Sequence, residues 1–136
     1  IVESTIPPGA MRQLQQALSS TGALLAHCPE RVLPGQLLHE LVHNHRVVGG
    51  VTPEATEMAC ELYARFVKGV IHPTTAETAE LVKVMENTYR DVNIALANEL
   101  ALIAERVGVN AREVIALANQ HPRVHLHQPG PGVGGH

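Results

Sequence analysis

The stretch from Thr74 to Gly108, TTAETAELVKVMENTYRDVNIALANELALIAERVG, constrains the fold most, because it reads as one uninterrupted helix. Leu81, Met85, Tyr89, Val92, Leu96, Leu100, Ile103 and Val107 recur at steps of three and four, a continuous apolar stripe. Thr74 with Glu77 has the spacing of a capping box, and Gly108 is placed to end the helix in the left-handed conformation. At 1.5 Å per residue, about 33 residues span roughly 50 Å, far beyond the mean helix. A second row runs along the same rod. Lys83 and Asn87 are four apart and share a face, and Arg90 and Asn98 fall close to that line. Spacing alone fits either a solvated edge or a polar row facing a cleft. Ala95, Ala97, Ala101 and Ala104 thin the second half and allow close approach by other helices.

The remainder must be read as one ordinary domain's worth of chain: 136 residues, 45% hydrophobic and 17% charged, which excludes a disordered segment. A net charge of −3, with no Trp, two Tyr and one Phe, argues against a nucleic-acid interface. No apolar run reaches the ~20 residues that span a bilayer, and no signal peptide opens the sequence. Cys28 and Cys60 alone do not make a disulfide framework, so a reducing cytoplasm is expected. There is no initiator Met, and the last residues, Gly134-Gly135-His136, break off inside a glycine-rich loop. The sequence is therefore expected to be a piece of a larger protein.

Residues 1–72 alternate short apolar runs with helical patterns, the signature of βαβ units and a mostly parallel sheet. Strands are expected at Ile1–Ser4, Ala23–His27, Arg46–Gly49 and Gly69–His72. Met11, Leu14 and Leu18 mark a short helix after Pro7-Pro8-Gly9, and a second short helix is expected within 35–44. Thr52-Pro53-Glu54 is a strong helix start, with Ala55, Met58, Ala59, Leu62 and Phe66 as its buried face. After Gly108, Asn110 should cap a last helix with Val114, Ile115 and Leu117–Ala118 inward, ending before Pro122. The expected class is α/β, mainly helical: the C-terminal part of a Rossmann-like sheet (1–72), a central helical region with one long helix (73–120), and a glycine-rich loop (121–136).

Several short patterns carry possible chemistry. His39-Glu40-Leu41-Val42-His43 matches H-E-x-x-H, in which two His one turn apart bind zinc and the Glu acts as base. It sits on a short segment, in a chain with nine His and with His45 poorly spaced as a third ligand, so a solvated helix is the expected outcome. No metal is expected. His125 and His127 alternate and could face one way to hold a metal, but surface histidines are the commoner outcome. Cys28 and Cys60 have no paired spacing and read as small buried hydrophobes. Gly130-Pro131-Gly132-Val133-Gly134-Gly135 suits a shaped loop whose N–H groups approach a ligand, but no Gly-Lys-Ser/Thr follows to make it a Walker loop.

Four stretches taken together, ESTIPPG at 3–9, CPERVLPG at 28–35, Lys83 through Glu99, and QPGPGVGGH at 128–136, resemble the family of UDP-glucose and GDP-mannose dehydrogenases. They stand in the family's order at compatible separations. PERVLPG, ENTYRDVNIA and QPGPGVGGH are most similar to the branch that oxidises UDP-N-acetylhexosamines.

The resemblance implies an NAD-dependent, two-step oxidation of a sugar C6 hydroxyl to a carboxylate, in a homodimer built through the central helix. By the same resemblance, Lys83 is the proton donor and acceptor that steadies a developing oxyanion, and Asn87 is the amide on the same oxygen. Thr5 resembles the hydroxyl that positions a hydrolytic water near the nicotinamide, and Glu30 the carboxylate beside it. Arg31, Val32, Arg90, His121, Arg123 and Gly134 match positions that contact the UDP-sugar, with Arg suited to pyrophosphate through its bidentate fork. His121 and Arg123 are expected to serve a neighbouring subunit. Pro34 replaces a Glu that glucose-type relatives carry, which leaves the hydrolysis base undecided. The family's nucleophilic Cys and its dinucleotide fingerprint are not in the chain. Two other readings remain: a helical dimerisation module without catalysis, and a zinc hydrolase built on His39, Glu40 and His43.

Overall fold

Residues Gly49 and Gly50 let the backbone pack unusually close, and the sheet is arranged around them. A Cβ on Gly49 would lie 2.1 Å from Thr75 O, and one on Gly50 would lie 2.3 Å from Thr56 N. The structure, a computed structural model, describes residues 1–32 and 35–133. The central strand β2 (Arg46–Gly50) pairs antiparallel with β1 (Ala26–His27) and parallel with β3 (Ile71–Thr75), from Arg46↔Ile71 to Gly50↔Thr75. Val2 extends the other side as a parallel bridge to His27. The antiparallel β1–β2 pair departs from an all-parallel arrangement. An antiparallel pair needs no crossover, and α2 (Leu37–His43) lies between β1 and β2 in sequence.

The expected βαβ unit is β2–α3–β3, with α3 spanning Pro53–Ala64. Thr52 caps it by accepting the Ala55 N–H at 3.2 Å, and Pro53 fills the first turn, where no N–H is needed. Ala55 and Ala59 are buried as expected, but Met58, Leu62 and Phe66 are exposed. The third inward residue is Tyr63. It joins Ala26, Cys28, Val48 and Ala59 in the core. Its hydroxyl donates to Glu3 Oε1 at 2.6 Å, and the Arg46 guanidinium lies 5.5 Å over its ring. Burial, with Glu3 beside it, pushes the Tyr63 phenol well above its ordinary range. Burial also raises the Cys28 thiol, as expected of an inert core cysteine.

The long helix α4 spans Ala76–Val107. It begins after Thr75 rather than at Thr74, because Thr74 belongs to the β3 ladder opposite Gly49. The cap is accordingly Thr75, whose Oγ1 accepts the Thr78 N–H at 3.3 Å, and Glu77 instead pairs with Arg12. The far end is as expected. Gly108 has φ 79°, and the Val109 and Gly108 N–H groups return to Ala104 O (3.0 Å) and Glu105 O (3.2 Å), a Schellman closure. The apolar stripe is not buried within this chain. Leu81, Met85, Tyr89, Val92, Leu96, Ile103 and Val107 are 46–69% exposed, whereas Ala76, Ala79, Glu80, Ala97 and Ala104 are buried. The chain covers the alanine side of the rod and leaves the bulky side to solvent.

Helix α5 (Ala111–Ala118) is capped by Asn110, which accepts from the Arg112 and Glu113 N–H groups. Of its expected inward residues only Ile115 is fully buried, and Val114 and Leu117 are exposed. Met11 is the buried residue of α1 (Ala10–Ala17). Two compact units divide the chain, Ile1–Val84 and Met85–His136. Among the described residues no helix is long and apolar enough to cross a membrane.

His27 is fully buried, and its Nδ1–H donates to Val2 O at 2.9 Å, which leaves Nε2 bare and without a partner. Protonating Nε2 would bury an unpaired donor. Burial therefore depresses its pKa below 6.5, against smaller raising effects from Val2 O and the Glu80 charge. Since the folded value is the lower one, the stability it contributes is present above 6.5 and lost as the pH falls through the folded value. His27→Gln should flatten the acid side of the melting-temperature profile relative to the native sequence. Parallel profiles would show that His27 is not the group being charged.

Candidate functional site

The first unit presents its chemistry where two parallel segments end together. The Val2 N–H donates to Ala26 O, the Cys28 N–H to Val2 O, and the Glu30 N–H to Glu3 O at 3.0 Å, the last rung. Thr5 comes two residues past that rung and is exposed, while Glu30 is half-buried at its end. Ligands of open α/β sheets bind at such carboxyl ends. The Glu30 carboxylate folds back and accepts the Val32 N–H at 2.8 Å, a local turn that fixes the loop. Pro29, fully buried, anchors the same loop, and Arg31 and Val32 are half-buried beside it. Lys83, also half-buried, stands on α4 within this unit.

In the second unit, Asn87 is half-buried and Arg90 is exposed, three residues apart on α4. His121 and Arg123 are exposed in the turn after α5, where the Arg123 N–H meets His121 Nδ1 at 3.3 Å. Gly134 lies outside the described residues, as does Pro34. Thr5, Glu30, Arg31, Val32 and Lys83 thus belong to the first unit, and Asn87, Arg90, His121 and Arg123 to the second.

The tail is held by side-chain amides that imitate backbone partners. Asn98 Nδ2 donates to Gly130 O at 2.8 Å and its Oδ1 accepts the Gly130 N–H at 2.9 Å. Asn119 forms the same two-way pair with Leu126, at 3.0 and 2.8 Å. Asp91 accepts the Val133 N–H at 3.4 Å. The sequence marks Asn98 as part of the polar row but gives no hint of its partner 32 residues on. Asn119 and Asp91 carry no signal at all in the sequence, since a long-range side-chain-to-backbone pair has no spacing rule.

The other patterns resolve as geometry. His39 and His43 stack with ring centroids 4.3 Å apart on the exposed α2, and His43 Nδ1 donates to His39 O at 2.9 Å. His127 meets His125 at 6.3 Å and the Tyr89 ring at 5.9 Å. Among the described residues no three His, Cys, Asp or Glu stand close enough to hold a metal ion. A largely apolar groove between α3 and β3, bordered by Thr56, Cys60 and Ile71, includes none of the expected site residues.

Asn98→Ala removes both bonds to Gly130. With a net worth of about 1 kcal/mol for such a bond, the Gly130 amide should exchange with solvent roughly 5- to 10-fold faster. Unchanged exchange would show that the loop holds its shape without Asn98.

Two models of one family match the chain in turn, and the second begins at 77, inside the first unit. Residues 1–67 match the NAD binding domain of the UDP-glucose/GDP-mannose dehydrogenase family, and residues 77–136 match its central domain. The first match assigns NAD as the cofactor of that domain. A UDP-N-acetyl-D-mannosamine dehydrogenase of Methanocaldococcus jannaschii is 61% identical over the whole chain, which covers 32% of that protein. An NDP-N-acetyl-D-galactosaminuronic acid dehydrogenase of Ralstonia nicotianae is 51% identical over the whole chain, covering 36% of it. A solved UDP-D-ManNAc dehydrogenase from Pyrococcus horikoshii superposes with a TM-score of 0.92 at 56% identity, over 98% of this chain and 34% of that one. The chain spans about a third of the length of these relatives. With both halves matched in order and a whole-chain superposition, the chain belongs to the UDP-glucose/GDP-mannose dehydrogenase family.

Proposed function

We propose that this chain is part of an NAD-dependent 6-dehydrogenase of a UDP-N-acetylhexosamine, with UDP-N-acetyl-D-mannosamine as the substrate. The observation that carries the reading is the 61% identity, over the whole of this chain, to a protein named for that activity. Residues 1–72 would close the NAD-binding domain, 73–120 form the central helical region, and 121–136 begin a substrate loop. Two free cysteines and a nucleotide-sugar substrate agree with a cytoplasmic enzyme.

In this reading NAD, when bound beside Thr5 and Glu30, would supply the hydride acceptor for C6 of the sugar. The chain's own residues prepare that carbon. Lys83 takes up the C6 hydroxyl proton on its free amine, the ammonium so formed steadies the C6 oxygen, and Asn87, one turn along α4, donates its amide N–H to the same oxygen. Thr5 and Glu30 hold a water at the strand ends for the hydrolytic step. Arg31, Val32, Arg90 and Gly134 contact the UDP-sugar, Arg90 through a fork that matches pyrophosphate oxygens. His121 and Arg123 reach the site of a neighbouring copy. The isolated 136-residue polypeptide would not turn over, because the family's dinucleotide fingerprint and thiol are not among its residues.

The test is the full reading frame, assayed with UDP-N-acetyl-D-mannosamine and its epimers. The expected result is two NAD reduced per sugar, with Lys83→Ala lowering kcat about 10²- to 10³-fold. An active full-length protein that prefers another UDP-sugar would overturn the substrate assignment, and an inactive one the dehydrogenase reading.

The exposed row of Met85, Tyr89, Val92, Leu96, Ile103 and Val107 supports a second part of the proposal, pairing of α4 with its copy about a two-fold axis. Replacing Leu96 and Ile103 by Glu in the full-length protein should convert a dimer to a monomer in light scattering. A native protein that is already monomeric would assign this face to the rest of its own chain.

A further inference from the structure

Glu80 is the one fully buried carboxylate among the described residues, and the dehydrogenase chemistry proposed for this chain does not use it. Its Oε2 accepts the Gly9 N–H at 2.6 Å and its Oε1 the Met11 N–H at 2.7 Å, across about 70 residues of sequence. These are orphan donors of the first turn of α1. Gly9 stands at the N-cap with φ 92° and supplies no side-chain cap of its own. The cap is delivered from α4 instead, as a negative charge at the positive end of α1.

A cap that only stabilised α1 could come from a local Ser or Asp at the N-cap. This one comes from three residues before Lys83, one turn along the same helix face. Its other end is equally pointed. Gly9 comes four residues after Thr5, and Pro7 and Pro8 lie between with their φ angles fixed by their rings. The Ala10 N–H closes that segment onto Pro7 O at 3.1 Å. The Arg12–Glu77 pair makes a second tie one turn earlier on α4, but it is exposed and contributes little.

We propose that Glu80 is a positioning residue that sets the Thr5 loop against the Lys83 turn of α4. The inference rests on the dehydrogenase reading, which gives Thr5 and Lys83 their roles. Glu80 touches neither substrate nor cofactor. It holds two groups that act on one reaction at a fixed separation, and misplacement of about 1 Å costs on the order of 10²-fold in rate. Gln cannot replace it without loss. Its amide nitrogen would face a backbone N–H, so one of the two bonds becomes a donor–donor contact. Asp keeps the charge and both acceptors but is one methylene shorter.

The experiment compares full-length native protein with Glu80→Gln and Glu80→Asp, well below the melting temperature of each. It reads kcat, KM for UDP-N-acetyl-D-mannosamine, and amide exchange at Gly9 and Met11. For Glu80→Gln the expected result is a 10- to 100-fold loss of kcat, KM within about 2-fold of native, and faster exchange at the amide that faces the new nitrogen. Glu80→Asp should recover part of both the kcat and the protection. A folded Glu80→Gln protein with kcat within about 2-fold of native overturns the proposal. So does a loss confined to the melting temperature, with kcat per folded molecule unchanged in either variant. A native protein that never reduces NAD overturns the dehydrogenase reading, and this inference with it. That outcome is distinct, because it appears before any variant is made.

Discussion

The close approach of β3 to Gly49 sets the course of the chain from the sheet into the long helix. Thr74 pairs with Gly49 in the ladder, and the Thr75 carbonyl sits where any side chain on Gly49 would have to go. Only a glycine lets β3 run flush to its end and turn at once into α4, with no loop between Thr75 and Ala76. Without a linker, the direction of the sheet fixes the direction of the first turns of the helix. Ala76, Ala79 and Glu80 are buried there. The position of Lys83 in the first unit is therefore set by strand pairing.

A second constraint acts on the same turns. The buried Glu80 carboxylate draws the start of α1 onto α4 by two short bonds. The parallel rungs from Val2 to Glu30 then bring Thr5 and Glu30 to neighbouring strand ends. Beneath them the Tyr63 hydroxyl holds the Glu3 carboxylate, and Arg46 lies over the Tyr63 ring. These buried polar groups cost solvation, and each bond recovers part of that cost only in one geometry. They make the strand ends rigid, which a site on loops requires.

In the second unit, rigidity comes from asparagine. Asn98 and Asn119 each offer a donor and an acceptor in the spacing of a peptide group, so each serves as one rung of a strand for a tail that has no strand partner. Gly130 needs no side chain for this and can lie flat against the amide. The tail keeps a defined course through irregular backbone as far as Val133.

Hydrophobic period, caps and turn residues are local, and the sequence alone determined them. The long helix and its Gly108 closure, the Thr52-Pro53 start, the Asn110 cap and the β2–α3–β3 unit all arise from residues within a few positions of one another. So did the family, because short stretches carry it. Which face a helix buries is not local, and only the tertiary structure decided it. Periodicity showed that α4 has a bulky side and a small side, but the chain covers the small one. It likewise chose Tyr63 over Met58 and Leu62 on α3 and over Phe66 just past its end, because Tyr63 alone of these meets the strand core and a carboxylate for its hydroxyl. Thr74 lost its cap role to the sheet for the same reason. The ties of Glu80 to Gly9 and Asn98 to Gly130 join residues far apart in sequence, and only folding brings them within reach of one another.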